Sequence, residues 1–149
     1  MMNSLSAATF ELELPIASTS ERVWKALSRE SHRWWPKEFV TSERTQQFVI
    51  EAKLGGRVYE DFGDGDGLLW YTVIGIDQGR ELILAGHLLP PYGGPATTSL
   101  ILTLESLPDA TLLRIRDHRF GMLGGSPIEG WRQVFEDGLR RYVESTDFP

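Results

Sequence analysis

The sequence contains no cysteine, which excludes disulfides, thiolate catalysis, iron–sulfur clusters and any zinc site with cysteine ligands. It also lacks an apolar run long enough to span a membrane. The N-terminus has neither the basic nor the apolar segment of a signal peptide, so we expect a cytoplasmic protein. Basic residues are outnumbered, with 15 Lys and Arg against 21 Asp and Glu. This balance argues against nucleic acid as a partner and favours small molecules or proteins.

Motifs for metal and phosphate binding are also lacking. The three histidines, His32, His87 and His118, are too scattered for a helical metal motif. The Gly–Asp repeat at Gly63–Gly67 lacks both the terminal Glu of a calcium loop and the following helix of a phosphate loop. We therefore expect no metal and no cofactor, and we interpret Gly63–Gly67 as a hairpin turn.

With 41% hydrophobic residues, the chain can form the core of one domain. We place this domain at residues 1–149. Alternating apolar and polar residues predict a first strand at Thr9–Ile16. A capping box from Ser18 to Glu21 predicts the start of a helix. A short second helix at His32–Trp35 follows and is ended by a proline.

A period of two then predicts six further strands, and the chain ends in a long helix. The strands are expected at Phe48–Ala52, Arg57–Phe62, Leu68–Asp77, Glu81–Leu88, Thr97–Glu105 and Thr111–Arg116. Ser126 and Pro127 mark the start of the helix, whose apolar stripe includes Trp131, Phe135 and Leu139. The pattern indicates an α+β fold in which one antiparallel sheet packs against the long helix.

Several segments resemble a known family, the bacterial homologues of the activator of heat shock protein 90 ATPase, within the START-like (SRPBCC) superfamily. The segments that carry the resemblance are Leu14–Leu27, Leu54–Glu60, Tyr71–Asp77, Arg80–Leu84 and the pair Gly130–Trp131. The resemblance implies a helix-grip fold: a curved seven-stranded antiparallel sheet around a long C-terminal helix, with two short helices after strand 1. It also implies a hydrophobic cavity between sheet and helix, which in relatives holds apolar or aromatic ligands. A few relatives catalyse cyclisation or dehydration.

Strand alternation predicts which side chains face the helix. Strand by strand, the expected inward positions are Val58, Glu60 and Phe62; Trp70, Thr72, Ile74 and Ile76; Leu82 and Leu84; Leu100, Leu102 and Leu104; and Leu113, Ile115 and Asp117. Two carboxylates, Glu60 and Asp117, thus fall among apolar neighbours, and a buried carboxylate is usually either paired or functional. The alternatives are a salt bridge to Arg57, Arg116 or Arg119, or a general base in the cavity.

Aromatic residues suggest where a ligand would lie, because apolar ligand sites are typically lined by such side chains. Trp24, Trp34, Trp35 and Phe39 are expected at the mouth of the cavity. The predicted ligand-binding residues are Trp24, Trp35, Phe39, Val58, Glu60, Phe62, Trp70, Leu84, Asp117, Trp131 and Phe135. The alternative is that these rings fill the space completely and leave no cavity.

Three functions are compatible with these observations. The favoured one is a non-catalytic protein that binds a small apolar or aromatic molecule. The second is an enzyme of the polyketide-cyclase or dehydratase type, with Glu60 or Asp117 as general base. The third is an interaction protein with an exposed apolar patch around Leu88–Pro95. The sequence lacks the additional N-terminal domain of the eukaryotic co-chaperone, which argues against a chaperone partner, and it leaves a homodimer open.

Overall fold

The computed structural model describes residues 4–146. The elements before the long sheet meander are β1 (Ser6–Ile16), α1 (Ser20–Arg29), α2 (Ser31–Trp34) and a 3₁₀ turn (Lys37–Phe39). The remaining strands are β2 (Gln47–Ile50), β3 (Arg57–Gly63), β4 (Asp66–Asp77), β5 (Glu81–Leu88), β6 (Ala96–Ser106) and β7 (Thr111–Gly121), with a second 3₁₀ turn (Pro90–Tyr92) between β5 and β6. The C-terminal helix consists of α3 (Ile128–Arg132), a π-helical segment (Gln133–Arg140) and α4 (Arg141–Thr146).

The seven strands form one curved antiparallel sheet in the order β1-β7-β6-β5-β4-β3-β2. From β2 to β7 each strand pairs with the next one along the chain, and β1 pairs with the last strand, β7. The β3–β4 hairpin turns at Asp64 and Gly65, whose φ angles of 57° and 86° are those of the left-handed region that Asp and Gly tolerate. The predicted α+β helix-grip architecture is confirmed.

The start of α1 differs from the prediction by one residue. The cap is Thr19, whose Oγ1 accepts a hydrogen bond from Arg22 N at 3.1 Å, rather than Ser18. The hydroxyl of Ser18 is buried and has no hydrogen-bond partner in the described part of the chain. The start of the C-terminal helix is closer to the prediction, since Ser126 Oγ accepts from Ile128 N at 3.2 Å.

Two β-bulges in β4 overturn the predicted face of that strand. Trp70 has no partner on β3 and Ile74 has none on β5, because the register slips by one residue at each position. As a result Tyr71 is buried on the inner face next to Trp70, and Thr72 takes the other face. The prediction that Thr72 and Ile74 point inward is wrong, and Ile74 is 55% exposed. The bulges give the inner face two adjacent rings where strict alternation would give one.

The core lies between the inner face of the sheet and the C-terminal helix. The helix contributes Val134, Phe135, Leu139 and Val143, all almost fully buried. They pack with residues of every strand and with Val23, Ala26 and Leu27 of α1. Burying one such aliphatic or aromatic side chain contributes about 1.5–3 kcal/mol to folding. This layer fixes the helix against the sheet.

The π-helical segment follows from the spacing of the buried residues in the C-terminal helix. Trp131, Phe135, Leu139 and Val143 recur every four residues. In an α-helix that spacing would rotate the stripe by about 40° at each step, because each residue advances about 100°. The wider turns of a π-helix keep the stripe directed at the sheet. A Cβ at Gly138 would lie 2.9 Å from the Trp34 carbonyl oxygen, so glycine allows the helix to approach α2.

Candidate functional site

A pocket of about 290 Å³ lies between the C-terminal helix, the inner face of the sheet and the loops at one end of the fold. Most of its lining is aromatic, and among the described lining residues Arg119 is the one charged side chain. The lining residues are Trp35, Phe39, Phe48, Trp70, Tyr71, Leu88, Tyr92, Arg119, Pro127, Gly130, Trp131 and Val134.

One corner of the pocket is formed by the segment that follows α2. Trp35 stacks on Phe48 of β2 with ring centroids 3.6 Å apart and planes nearly parallel. Its Nε1 donates a hydrogen bond to the Phe39 carbonyl oxygen at 2.9 Å. Pro36 ends α2 and turns the chain into the 3₁₀ turn that carries Phe39. Stacking and hydrogen bonding together hold the Trp35 ring at the pocket wall.

Glu60 lies on β3, fully buried, and fixes a second pocket ring. Its Oε1 accepts hydrogen bonds from Thr41 N at 2.8 Å, Thr41 Oγ1 at 3.1 Å and Thr45 Oγ1 at 2.8 Å. Its Oε2 accepts from Trp70 Nε1 at 2.8 Å. All four donors are neutral, and such charge-assisted hydrogen bonds are stronger than neutral ones. Glu60 therefore ties the loop after the 3₁₀ turn to Trp70, whose ring also meets the edge of Tyr92 at 5.2 Å.

Asp117 lies on β7, also fully buried, and fixes a third ring. Its Oδ2 accepts hydrogen bonds from Trp131 Nε1 and Arg119 Nε, both at 2.9 Å, and lies 2.8 Å from Arg119 Nη2 in an ion pair. Its Oδ1 accepts from Thr98 Oγ1 at 2.6 Å. The alternative that this carboxylate forms a salt bridge with Arg119 is confirmed. Arg57 pairs instead with Glu51 at 2.9 Å.

Tyr71 lies close to Asp117 and Arg119, and its side chain lines the pocket. Burial, and secondarily the Asp117 carboxylate, raise the pKa of the Tyr71 hydroxyl above its ordinary value, so it stays protonated at neutral pH.

The structure brings four of the predicted ligand-binding residues together in the pocket wall: Trp35, Phe39, Trp70 and Trp131. Glu60 and Asp117 stand behind two of these rings rather than in the lining. Phe135 is buried and packs against Trp131 with ring centroids 5.5 Å apart.

The other predicted residues lie elsewhere. Val58 and Leu84 are buried in the core and are not part of the pocket lining. The ring of Phe62 lies under the guanidinium of Arg44 at 5.6 Å, because β3 has a register irregularity at Phe62. Trp24 sits in a separate surface depression formed by α1 and the connections next to Ala52 and Gln78.

Eight lining residues were not among the predicted ones: Phe48, Tyr71, Leu88, Tyr92, Arg119, Pro127, Gly130 and Val134. Arg119 could have been found, because it has the same strand parity as Asp117 two residues before it. Tyr71 could not, because its inward position depends on a bulge. Tyr92 belongs to a Pro- and Gly-rich turn without periodicity.

Two features of residues 4–146 limit the class of site. Between residues 4 and 146, no group of three or more His, Asp or Glu side chains is placed to hold a metal ion. Over that same range, every helix is too short or too polar to cross a bilayer.

Comparison of the structure with solved proteins identifies the fold. No protein-family model and no curated protein matches the sequence. An uncharacterised protein of Rhizobium leguminosarum matches with a TM-score of 0.69 and 20% identity, over 97% of this chain and 99% of that one. The AHSA1-like protein of Aeromonas hydrophila matches with a TM-score of 0.65 and 18% identity, over 94% of each chain. DynU16, a protein from the dynemicin biosynthetic locus, matches with a TM-score of 0.63 and 20% identity, over 93% of this chain and 48% of that one.

These similarities confirm the START-like helix-grip fold that the sequence predicted. At identities of 20% or less they establish the fold alone, and function must be argued from the site.

Proposed function

We propose that this protein binds a small apolar or aromatic molecule in the pocket between the sheet and the C-terminal helix. The observation that carries the proposal is the aromatic lining, in which the indole N–H groups of Trp35, Trp70 and Trp131 are all directed at protein acceptors. The rings therefore present mainly carbon surface to the interior of the pocket. Such a surface favours flat, apolar ligands.

The size of the pocket limits the ligand. An apolar cavity of about 150 Å³ holds one benzene ring. At about 290 Å³, this pocket has room for roughly two fused rings. Bulkier molecules would need the surrounding loops to move.

The carboxylates support binding over general-base catalysis. Each oxygen of Glu60 and of Asp117 already accepts at least one hydrogen bond from the protein. A general base must reach the proton that it removes, directly or through one water. Because both carboxylates lie behind the tryptophan rings, a ligand in the pocket would meet the rings first.

The proposal is tested by filling the pocket. Gly130 lines it, and the first carbon of a side chain there would lie 3.6 Å from Phe39 Cε1, an ordinary contact. The larger branches of a leucine would occupy the pocket itself. We expect the wild-type protein to bind naphthalene saturably at one site by isothermal titration calorimetry, and Gly130→Leu to weaken binding at least about tenfold.

Gln133→Leu is the matched control, because it adds the same side chain to an exposed position of the same helix. It should bind naphthalene like the wild type. Equal affinity of Gly130→Leu and Gln133→Leu, or no binding by the wild type, would contradict the proposal. Native mass spectrometry of the freshly purified protein would show in addition whether a ligand is retained from the cell.

A further inference from the structure

The outer face of the sheet, opposite the C-terminal helix and the pocket, carries a regular set of side-chain pairs where β1 lies beside β7. The two strands pair over the full length of β1, and every second pair of facing residues lies on this outer face. In order along the ladder, the outer pairs are Ala7–Phe120, Thr9–His118, Glu11–Arg116, Glu13–Arg114 and Pro15–Leu112. The central pair therefore joins an acid and a base.

The two charges of the central pair are not compensated within the chain. The neighbouring pair, Glu13 and Arg114, forms an ion pair at 2.7 Å. By contrast, neither the carboxylate of Glu11 nor the guanidinium of Arg116 makes a hydrogen bond or an ion pair with any residue between 4 and 146. Arg116 is half-buried, and its Nε is buried without an acceptor. Such a cation is costly, so a carboxylate supplied from outside would be favourable there.

An apolar side chain projects from the same ladder. The ring of Phe120 is 55% exposed, and the residue that faces it, Ala7, presents only a methyl group. Both border a shallow surface depression whose other lining residues include the small side chains of Thr97 and Ser99. One surface thus carries a projecting ring and, next to it, a hollow of small side chains, as a surface that packs against its own copy requires.

A two-fold axis parallel to the strands, between β1 and β7, makes this surface complementary to itself. Rotation about that axis places β1 of one copy on β7 of the other, so each outer residue meets the counterpart of its own ladder partner. Phe120 then lies on Ala7 of the second copy, and Arg116 lies on Glu11 of the second copy. Sheets that pack face to face lie about 10 Å apart, a distance that a large side chain on a small one can fill.

We infer that the outer face of β1 and β7 binds a second copy of this chain, with Arg116 of each protomer paired with Glu11 of the other. The inference does not depend on the proposed ligand, because the pocket lies on the opposite side of the sheet. About ten residues a side would be in contact, fewer than in an interface of standard size. We therefore expect a reversible dimer with a dissociation constant in the micromolar range.

Charge reversal tests the central pair. Glu11→Arg places two positive charges at each central contact of the dimer, and Arg116→Glu places two negative ones. By analytical ultracentrifugation from about 5 to about 200 µM, we expect the wild type to dimerise. Each single variant should have a dissociation constant at least about tenfold higher.

An equimolar mixture of the two variants is the decisive measurement. In a mixed dimer every central contact again joins an acid and a base, because one protomer contributes two bases and the other two acids. We expect the mixture to dimerise within about threefold of the wild-type affinity, although neither variant does so alone. Restored association would also show that both variants are folded. A wild type that stays monomeric at about 200 µM, single variants that dimerise like the wild type, or a mixture that stays monomeric would each overturn the inference.

The position of the interface is tested with two exposed apolar side chains. Phe120→Ser removes the projecting ring and should raise the dissociation constant at least about fivefold. Leu69→Ser is the matched control, because Leu69 is 53% exposed but lies on β4, which β5 and β6 separate from β7. It should dimerise like the wild type. Equal weakening by the two substitutions would overturn the assignment to β1 and β7.

Discussion

Glu60 and Asp117 perform the same task in two different ways. Each is fully buried on the inner face of the sheet, and each holds a pocket tryptophan through the indole N–H. Three strands separate β3 from β7, so the two carboxylates anchor different parts of the pocket wall. Glu60 is held by neutral donors, whereas Asp117 is paired with Arg119.

The difference makes the pocket chemically asymmetric. Around Glu60 the donors of Thr41, Thr45 and Trp70 all bind the carboxylate, and the pocket wall there presents the ring of Trp70. Around Asp117 the ion pair places the charged guanidinium of Arg119 at the pocket wall. A buried carboxylate can thus serve as a fixed anchor for an aromatic ring, and its counter-ion determines whether a charged side chain lies at the pocket wall.

The largest expected effect is the removal of Asp117. Asp117→Leu would leave the guanidinium of Arg119 buried without a counter-charge, and we expect a loss of about 3–5 kcal/mol in the free energy of unfolding. Urea denaturation followed by tryptophan fluorescence measures it. Adding Arg119→Leu should recover most of the loss, because it replaces the remaining charge with an apolar side chain. A double variant as unstable as Asp117→Leu alone would contradict the ion-pair description.

A smaller effect is expected for Glu60→Gln. The amide can accept at one end only, so its NH₂ group must face either Trp70 Nε1 or the donors of Thr41 and Thr45. We expect a loss of about 1–3 kcal/mol in the free energy of unfolding and a shift of the Trp70 indole resonance in an ¹H–¹⁵N spectrum. Glu13→Gln, at an exposed pair, should change stability by no more than about 0.5 kcal/mol. If the two variants lose the same stability, the Glu60 anchor is unimportant.

The smallest expected effect at neutral pH belongs to Tyr71→Phe, which removes only the hydroxyl of a buried side chain and should change the free energy of unfolding by no more than about 1 kcal/mol. The raised pKa of Tyr71 affects the free energy of unfolding only at alkaline pH. Burial raises the pKa of Tyr71 in the folded state, so below the ordinary value of 10.0 both states are protonated and the pKa shift changes nothing. Above pH 10.0 the unfolded state releases this proton and the folded state does not, so wild-type stability falls as pH rises.

Stability measured between pH 9 and 11 checks the sign. Above pH 10.0, the wild type should lose about 1.4 kcal/mol per pH unit more than Tyr71→Phe. Parallel stability curves for the two proteins would contradict the assignment.

Strand alternation predicted the seven strands and the two buried carboxylates, and the family resemblance supplied the curved helix-grip arrangement. Glu60 and Asp117 alternate with apolar residues on regular stretches of β3 and β7, where a period of two holds. It failed on β4, because a bulge is determined by pairing with the neighbouring strands rather than by the pattern within one strand. Trp24 was misplaced for a different reason: helical periodicity shows that a residue packs, but not against which part of the sheet.

The π-helical segment also affects how the chain tolerates changes of length. Deleting one residue from an α-helix turns everything beyond it by about 100° and misdirects the buried face. Turns closed by i→i+5 bonds contain a surplus residue, and the segment Gln133–Arg140 holds that surplus between the pocket and the rest of the core. Loss of an exposed residue such as Asp137 would return the segment to α-helical turns and leave Trp131 and Val143 facing the sheet. The longest helix of the fold can therefore be shortened in its middle with its two ends keeping their orientation.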